Sequence, residues 1–225
     1  RLKDVVGPLG KESEFMHLDQ EEMKNKRFLF VAGGVGTAPV YPQLKWVKAH
    51  GMKADVIIGT KTKATLILED MIKEYADNLL VCTDDGSYGM HGLVTDAIKH
   101  LVEQKQQKYD EVVAIGPMIM MKFVSLLSKE LGLKTTVSLN SLMVDGTGMC
   151  GACRVTIGGK TKFTCVDGPE FDAHLVDFDE AMRRQAMFKT HEIATDSKDH
   201  KCNLTAEVNH TIKRRRVPVR EQDAV

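Results

Sequence analysis

The sequence predicts an α/β fold in which a parallel sheet with helices on both faces is followed by a small cysteine-rich subdomain. Three observations carry this. Between positions 27 and 139, short apolar runs rich in β-formers alternate with stretches of helical period, the pattern of a buried parallel sheet. Glycine-containing loops directly follow three of those runs. Three of the five cysteines fall inside Asp145–Cys165, DGTGMCGACRVTIGGKTKFTC.

The elements can be taken in order. Residues 1–24 hold a Gly7–Pro8 turn and a polar run rich in Lys and Glu, which reads as a surface entry segment or the end of a preceding domain. RFLFVA (27–32) is a strand, GGVGTAP (33–39) a loop, and the apolar spacing of Leu44 and Val47 a short helix ending at Gly51. DVIIG (55–59) is the next strand and 65–76 a helix. NLLVCT (78–83) is a strand and 92–104 a helix; EVVAIG (111–116) is a strand and 117–132 a helix. A strand over 134–139 closes the series. The run RVTIGGKTKFTC, with Gly158–Gly159 between two β-rich segments, is a hairpin. An amphipathic helix spans 177–192, and from 193 to 225 the composition turns polar. Four segments are therefore expected: a remnant or linker over 1–24, a nucleotide-binding α/β domain over 25–139, a cysteine loop with its helix over 140–192, and a tail or linker over 193–225.

Composition narrows the function. The chain has 225 residues, a formal net charge of +0 and 43% hydrophobic residues. That apolar share is enough for a real core, and the absent basic excess speaks against nucleic acid and anionic membranes. No run of about 18 apolar residues is present, and no signal-peptide pattern is read. An odd cysteine count with three on one loop fits a reduced, cytoplasmic metalloprotein better than a disulfide scaffold. The chain begins at Arg1, and RLKDVVGPLG does not read as a natural start, so a piece of a longer protein is expected.

The cysteine loop carries the most specific chemistry. Cys150 and Cys153 form a C-x2-C pair, and Cys165 follows after eleven residues. A [2Fe–2S] site of the C-x4-C-x2-C…C type needs one further ligand five residues before the pair, and Asp145 stands there. The candidate metal ligands are therefore Asp145, Cys150, Cys153 and Cys165, one oxygen and three sulfurs. A zinc site with the same donors is the rival, as is a metal-free loop, with Asp145 then a turn-forming Asp-Gly. His174 is a weaker zinc candidate.

GGVGTAP lies between a strand and a helix, the setting a phosphate loop requires: glycines let backbone N–H groups approach, and a helix N-terminus favours negative charge. Gly33, Gly34, Val35, Gly36, Thr37, Ala38 and Pro39 are its candidate contacts, with Thr37 offering a hydroxyl and Pro39 suited to a first helical turn. Thr60 and Lys61 follow the second strand. TDDGSYG after the third adds Thr83, Asp84, Asp85 and Gly86, with either aspartate able to accept from a ribose or an amide. GPMIMM after the fourth adds Gly116, Pro117, Met118 and Met121. In open α/β sheets, ligands bind at these strand ends. Each loop alone could be an ordinary turn, and methionines at such positions are more often core. Cys82, at a strand end, reads as a small buried hydrophobe. No side chain is required as a catalytic acid or base.

RFLFVAGGVGTAP, TDDGSYG, GPMIMM and the trailing cysteine loop together resemble the ferredoxin-reductase-type flavoprotein family over roughly residues 1–192. The resemblance implies a Rossmann-like NAD domain and an electron-transfer subunit. Nicotinamide from NAD(P)H would dock on the three loops, hydride would pass to FAD, and single electrons would pass between flavin and a [2Fe–2S] cluster. Within the family, electron-transfer subunits of dihydroorotate dehydrogenase carry cysteine as first ligand and those of ferredoxin:NADP oxidoreductases aspartate, so Asp145 implies the second branch. The dihydroorotate type is the alternative, and a non-enzymatic zinc-stabilised nucleotide-binding domain a further one. The FAD barrel of the family is absent apart from DVVGPLG at 4–10, so FAD would be held mostly outside this chain. Lys61 stands where relatives have arginine, leaving the choice of NAD or NADP open. The tail RVPVREQDA resembles the start of a glutamate-synthase-like large subunit, which implies that subunit or a fused domain as partner, with ferredoxin as a further one.

Overall fold

The computed structural model describes residues 7–189. The remnant at 1–6 and the tail with Cys202 lie outside the described residues. Helix α1 (Gln20–Asn25) is capped by Asp19, whose carboxylate accepts from the N–H groups of Glu21 and Glu22. Strand β1 (Arg27–Gly33) runs into one 3-10 turn, Gly34–Gly36, and helix α2 (Thr37–Ala49). Next come β2 (Lys53–Thr60), α3 (Glu69–Tyr75), β3 (Asn78–Thr83), the two-residue β4 (Met90–His91) and α4 (Val94–Lys99). β5 (Glu111–Ile115), α5 (Met118–Glu130) and β6 (Thr135–Ser138) complete the alternating series. After it lie the hairpin β7 (Arg154–Ile157) and β8 (Lys160–Phe163), helix α6 (Thr164–Asp167), β9 (Glu170–Asp172) and α7 (Phe178–Gln185).

The main sheet has seven strands in the order β4-β3-β2-β1-β5-β6-β9. All pairings are parallel except β6 with β9. Alternation along the strands divides the core between two faces. Phe28, Phe30 and Ala32 of β1 face α2 and α3, packing with Val40, Leu44, Val47 and Ile72. Leu29 and Val31 face the other way, toward Val94, Ala97 and Ile98 of α4 and Met121 and Val124 of α5. Helix α7 joins that second face through Phe178 and Ala181. The expected α/β architecture is borne out, and the Gly158–Gly159 hairpin forms as read, both glycines at positive φ (55° and 76°).

Several details differ from expectation. β9 is antiparallel and comes from the segment assigned to the cysteine subdomain, so the boundary at 139/140 falls inside one compact unit that reaches Gln185. Three residues reading EFD carry no apolar run, which is why this strand is silent in the sequence. The stretch before β1 is more than a surface segment: Phe15 is buried against Phe28 and Trp46, with ring centroids 5.6 Å and 5.4 Å apart, and Met23 is buried with it. The helix expected over 65–76 begins only at Glu69, after Leu68 takes a left-handed turn at φ 58°. The helix expected over 92–104 is α4 followed by a π-turn, His100–Gln104. The helix expected over 177–192 stops at Gln185; the 3-10 turn Ala186–Phe188 belongs to the next unit.

Candidate nucleotide loops and cysteine centre

Because six strands run parallel, the loops after β1, β2, β3, β5 and β6 all leave the sheet at its carboxyl end. The order places β1 beside β5 while the chain turns away in opposite directions from them, which opens a crevice between their two loops. Close backbone approach builds that crevice. A Cβ on Gly36 would overlap the Ile115 carbonyl and approach the Gly116 Cα to 2.9 Å; one on Gly116 would stand 2.9 Å from the Gly33 Cα. Only residues without a side chain fit there.

Within the first loop, Gly33 ends β1, Gly36 is the N-cap residue of α2, and Thr37, Ala38 and Pro39 form its first turn. Val35 projects into solvent at 81% exposure, and Gly34 has φ 52°. The Thr37 hydroxyl, expected as a ligand donor, is buried and donates to the Gly34 carbonyl at 2.9 Å. Its proton therefore shapes the loop. Thr60 ends β2 and its hydroxyl bonds that of Thr65 at 2.6 Å, while Lys61 is exposed.

The third loop is tied together by Thr83. Its buried hydroxyl donates to the Tyr88 carbonyl (2.8 Å) and accepts from the Tyr88 N–H (3.1 Å). Asp84 and Asp85 are exposed on it, and Gly86 turns it at φ 72°. Asp85 Oδ1 accepts from the Ser87 hydroxyl (2.6 Å) and N–H (3.0 Å), which holds its carboxyl below the usual range. A cavity of about 300 Å³ lies on the outer side of this loop, between Glu69, Lys73, Leu80 and Tyr88. In the fourth loop, Gly116 and Pro117 line the crevice edge. Met118 and Met121, the methionines expected there, are 4% and 0% exposed and pack in the core, because the helix phase of α5 turns them onto the sheet. Cys82 is likewise fully buried, and burial pushes its thiol up to about 11, so it remains protonated as the hydrophobe expected.

The segment 139–169 leaves β6 at the carboxyl end and returns there through β9, whose Glu170 pairs with Ser138. All four candidate ligands lie on it. Gly146 and Gly148 take φ 77° and 83°, a left-handed winding that curls the chain around its own amides. Cys153 and Cys165 are buried with their sulfurs 3.2 Å apart, and the Cys165 N–H points at Cys153 Sγ at 3.4 Å. Burial and the Cys153 thiol push the Cys165 thiol up. Asp145 and Cys150 are exposed. Asp145 accepts from the N–H groups of Thr147 (2.9 Å) and Cys150 (2.8 Å), which hold its carboxyl below the usual range. The Ala152 N–H approaches Cys150 Sγ at 3.5 Å. Among the described residues no three metal-type side chains converge on one point; the two donor sulfurs that approach each other are those of Cys153 and Cys165. The donor set and the amides directed at two of the sulfurs fit an iron–sulfur cluster. His174, the weaker zinc candidate, faces Ser128 on α5, with Nε2 3.2 Å from its hydroxyl, and is not part of the loop.

One contributor had no signal in the sequence. Arg184, in the last turn of α7, donates through Nη2 to the Ala152 carbonyl at 3.1 Å. Arg183–Arg184 looks like an ordinary basic helix end, and only the docking of α7 aims one of the pair at the cysteine loop.

Comparisons with known proteins agree with this geometry. Residues 30–126 match the family described as oxidoreductase NAD-binding domain, and residues 140–177 match the iron–sulfur cluster binding domain of dihydroorotate dehydrogenase B. A Clostridium beijerinckii protein known as the uncharacterized protein in the adh 3' region is 64% identical over 191 residues, 85% of this chain. A Thermotoga maritima homologue of the dihydroorotate dehydrogenase B (NAD(+)) electron transfer subunit is 51% identical over 85% of this chain. This chain spans 64% of the length of each. A solved structure of an NADH-dependent reduced ferredoxin–NADP oxidoreductase, studied for flavin-based electron bifurcation, matches with a TM-score of 0.75 at 47% identity, covering 87% of this chain and 67% of that one. The chain belongs to the ferredoxin-reductase-type flavoprotein family that includes these electron-transfer subunits.

Proposed function

We propose that this chain is the nucleotide-docking and cluster-bearing part of an NAD(P)H-dependent flavoprotein oxidoreductase, relaying electrons to a partner subunit or domain. One observation carries the reading: the glycine crevice between β1 and β5 and the segment bearing Asp145, Cys150, Cys153 and Cys165 share the carboxyl end of one sheet. Nucleotide phosphates would lie against the Gly33–Gly36 turn and the α2 N-terminus, where backbone N–H groups and the helix dipole favour negative charge. The exposed Asp84 and Asp85 would accept from ribose or amide donors, and Lys61 would supply positive charge without arginine's planar fork.

Asp145, Cys150, Cys153 and Cys165 would hold a [2Fe–2S] cluster, which when bound carries one electron at a time. FAD would be held mainly by protein outside this chain. Asp145 as the oxygen donor favours the ferredoxin–NADP type over the dihydroorotate type, and with it a glutamate-synthase-like partner or ferredoxin. A cytoplasmic placement, where thiols are kept reduced, suits the cysteine loop; among the described residues no helix is long and apolar enough to cross a membrane.

Iron and sulfide analysis with visible and electron paramagnetic resonance spectra tests this reading. The expected result is about two irons per chain, lost in Asp145→Ala with the far-ultraviolet circular dichroism unchanged, and retained with a shifted potential in Asp145→Cys. Stoichiometric zinc in a colourless protein would overturn it.

A further inference from the structure

The last turn of α7 grips the cysteine loop at two places. Gln185 Nε2 donates to the Asn140 carbonyl (3.1 Å) and to Asn140 Oδ1 (3.0 Å), where the loop begins. One residue earlier, Arg184 Nη2 donates to the carbonyl of Ala152, which lies inside the C-x2-C pair directly before Cys153. Ala152 also directs its N–H at Cys150 Sγ, so the guanidinium holds the residue that solvates one ligand sulfur and precedes another. Arg184 Nε is buried and has no hydrogen-bond partner among the described residues. Burying part of a guanidinium with a donor unpaired costs free energy, and an anionic group beside the loop would offset that cost.

We propose that Arg184 is a positioning residue of the iron–sulfur loop. It fixes the Cys150–Cys153 knuckle through the Ala152 carbonyl, and its charge raises the reduction potential of the cluster held there. This rests on the cluster reading above. The physical basis is that cluster potentials respond to nearby charge and to hydrogen bonds around the sulfurs. A cluster ligated by thiolates and a carboxylate carries net negative charge, which a fixed cation stabilises further when an electron is added. Arginine suits the place because its fork can reach a carbonyl while the stem stays packed, and because it remains charged when partly buried.

The test compares wild type, Arg184→Lys and Arg184→Gln in the full-length protein. In the metal-free form, alkylation of Cys153 by N-ethylmaleimide, read by mass spectrometry, should be about tenfold faster in both variants, corresponding to about 1.4 kcal/mol of lost protection. The buried Cys82 should stay as unreactive as in wild type. In the iron-loaded form, a redox titration followed by electron paramagnetic resonance should show a lower midpoint potential in Arg184→Gln and a potential near wild type in Arg184→Lys, which keeps the charge. Unchanged Cys153 reactivity would overturn the hold on the loop, and an unchanged potential in Arg184→Gln would overturn the tuning. Cys82 becoming reactive in step with Cys153 would mean general unfolding and would also overturn the proposal. If the wild-type protein binds no iron, the cluster reading fails by itself, and the alkylation arm still decides whether Arg184 holds the loop.

Discussion

At the amino end of the sheet, Asp55 gathers Arg27 Nη2 (2.7 Å), the Tyr109 hydroxyl (2.7 Å) and Asn78 Nδ2 (2.9 Å), with its own side chain 2% exposed. On β5, with β1 between, Glu111 accepts from Thr136 Oγ1 (2.7 Å) and Lys134 Nζ (3.0 Å). At the carboxyl end β1 finishes in Gly33 and β2, β3 and β6 in hydroxyl residues, and their loops are held by close backbone approach and by short polar side chains such as Thr37 and Thr83. The difference is one of purpose. Charged side chains tie β1 and β3 to β2, and β6 to β5, at the amino end. Where a ligand must meet backbone N–H groups, side chains would fill the space, so shape is set by close approach instead.

The largest expected effect strikes the amino end. Asp55→Ala takes away the shared acceptor of Tyr109, Asn78 and the partly buried Arg27 guanidinium, a loss of about 3 kcal/mol, readable as a lower denaturant midpoint; nucleotide affinity of the molecules that remain folded should not change. An equal loss of affinity would break the proposed division of labour.

Gly36→Ala tests the carboxyl end. Gly36 has φ −59° and ψ −14°, a conformation alanine adopts freely, so only the overlap with the β5 loop is at stake. Forcing the loops apart should cost about 1–3 kcal/mol and weaken NADH binding about tenfold or more by isothermal titration calorimetry. Binding at wild-type affinity would show that the crevice does not hold the nucleotide. A smaller effect is expected at Thr83→Val, which removes the hydroxyl bridging both polar groups of Tyr88. About 0.5–1.5 kcal/mol of local stability should be lost, seen as faster amide exchange confined to 84–89.

Glu170 sharpens the comparison because it is a half-buried carboxyl at the glycine-rich end. It accepts from Ser13 Oγ (2.9 Å) and Gln43 Nε2 (2.6 Å), joining the segment before β1, helix α2 and β9. Burial raises its pKa, and the hydrogen bonds from Ser13 and Gln43 only partly oppose that rise. Since the folded value lies above the unfolded one, its contribution is present in acid and is lost as pH rises from the ordinary glutamate range through the raised value. Glu170→Gln should flatten the pH dependence of stability across that window. This is the smallest of the four effects, and an unchanged profile would remove Glu170 as its source.

Much of the molecule was legible in the chain. The runs RFLFVA, DVIIG, NLLVCT and EVVAIG are strands because a parallel strand buried on both faces must be apolar throughout. The loops GGVGTAP and TDDGSYG were legible because glycine and aspartate at strand ends mark turns with particular backbone needs. The spacing from Asp145 to Cys165 was legible because ligands of one centre on a short loop must recur at short intervals. Phe15 packing on Trp46 and the antiparallel addition of β9 were not legible, since each depends on which surface arrives from a distant part of the chain.

By itself, then, the sequence determined the alternating α/β order, the glycine loops and the set of candidate iron ligands, all properties of neighbours along the chain. Tertiary structure alone decided that β1 lies beside β5, that the cysteine segment leaves and rejoins the same sheet end, and that α7 lays Arg184 on the Ala152 carbonyl. Those outcomes follow from burying both faces of one sheet at once, a condition on the whole chain that no local spacing can express.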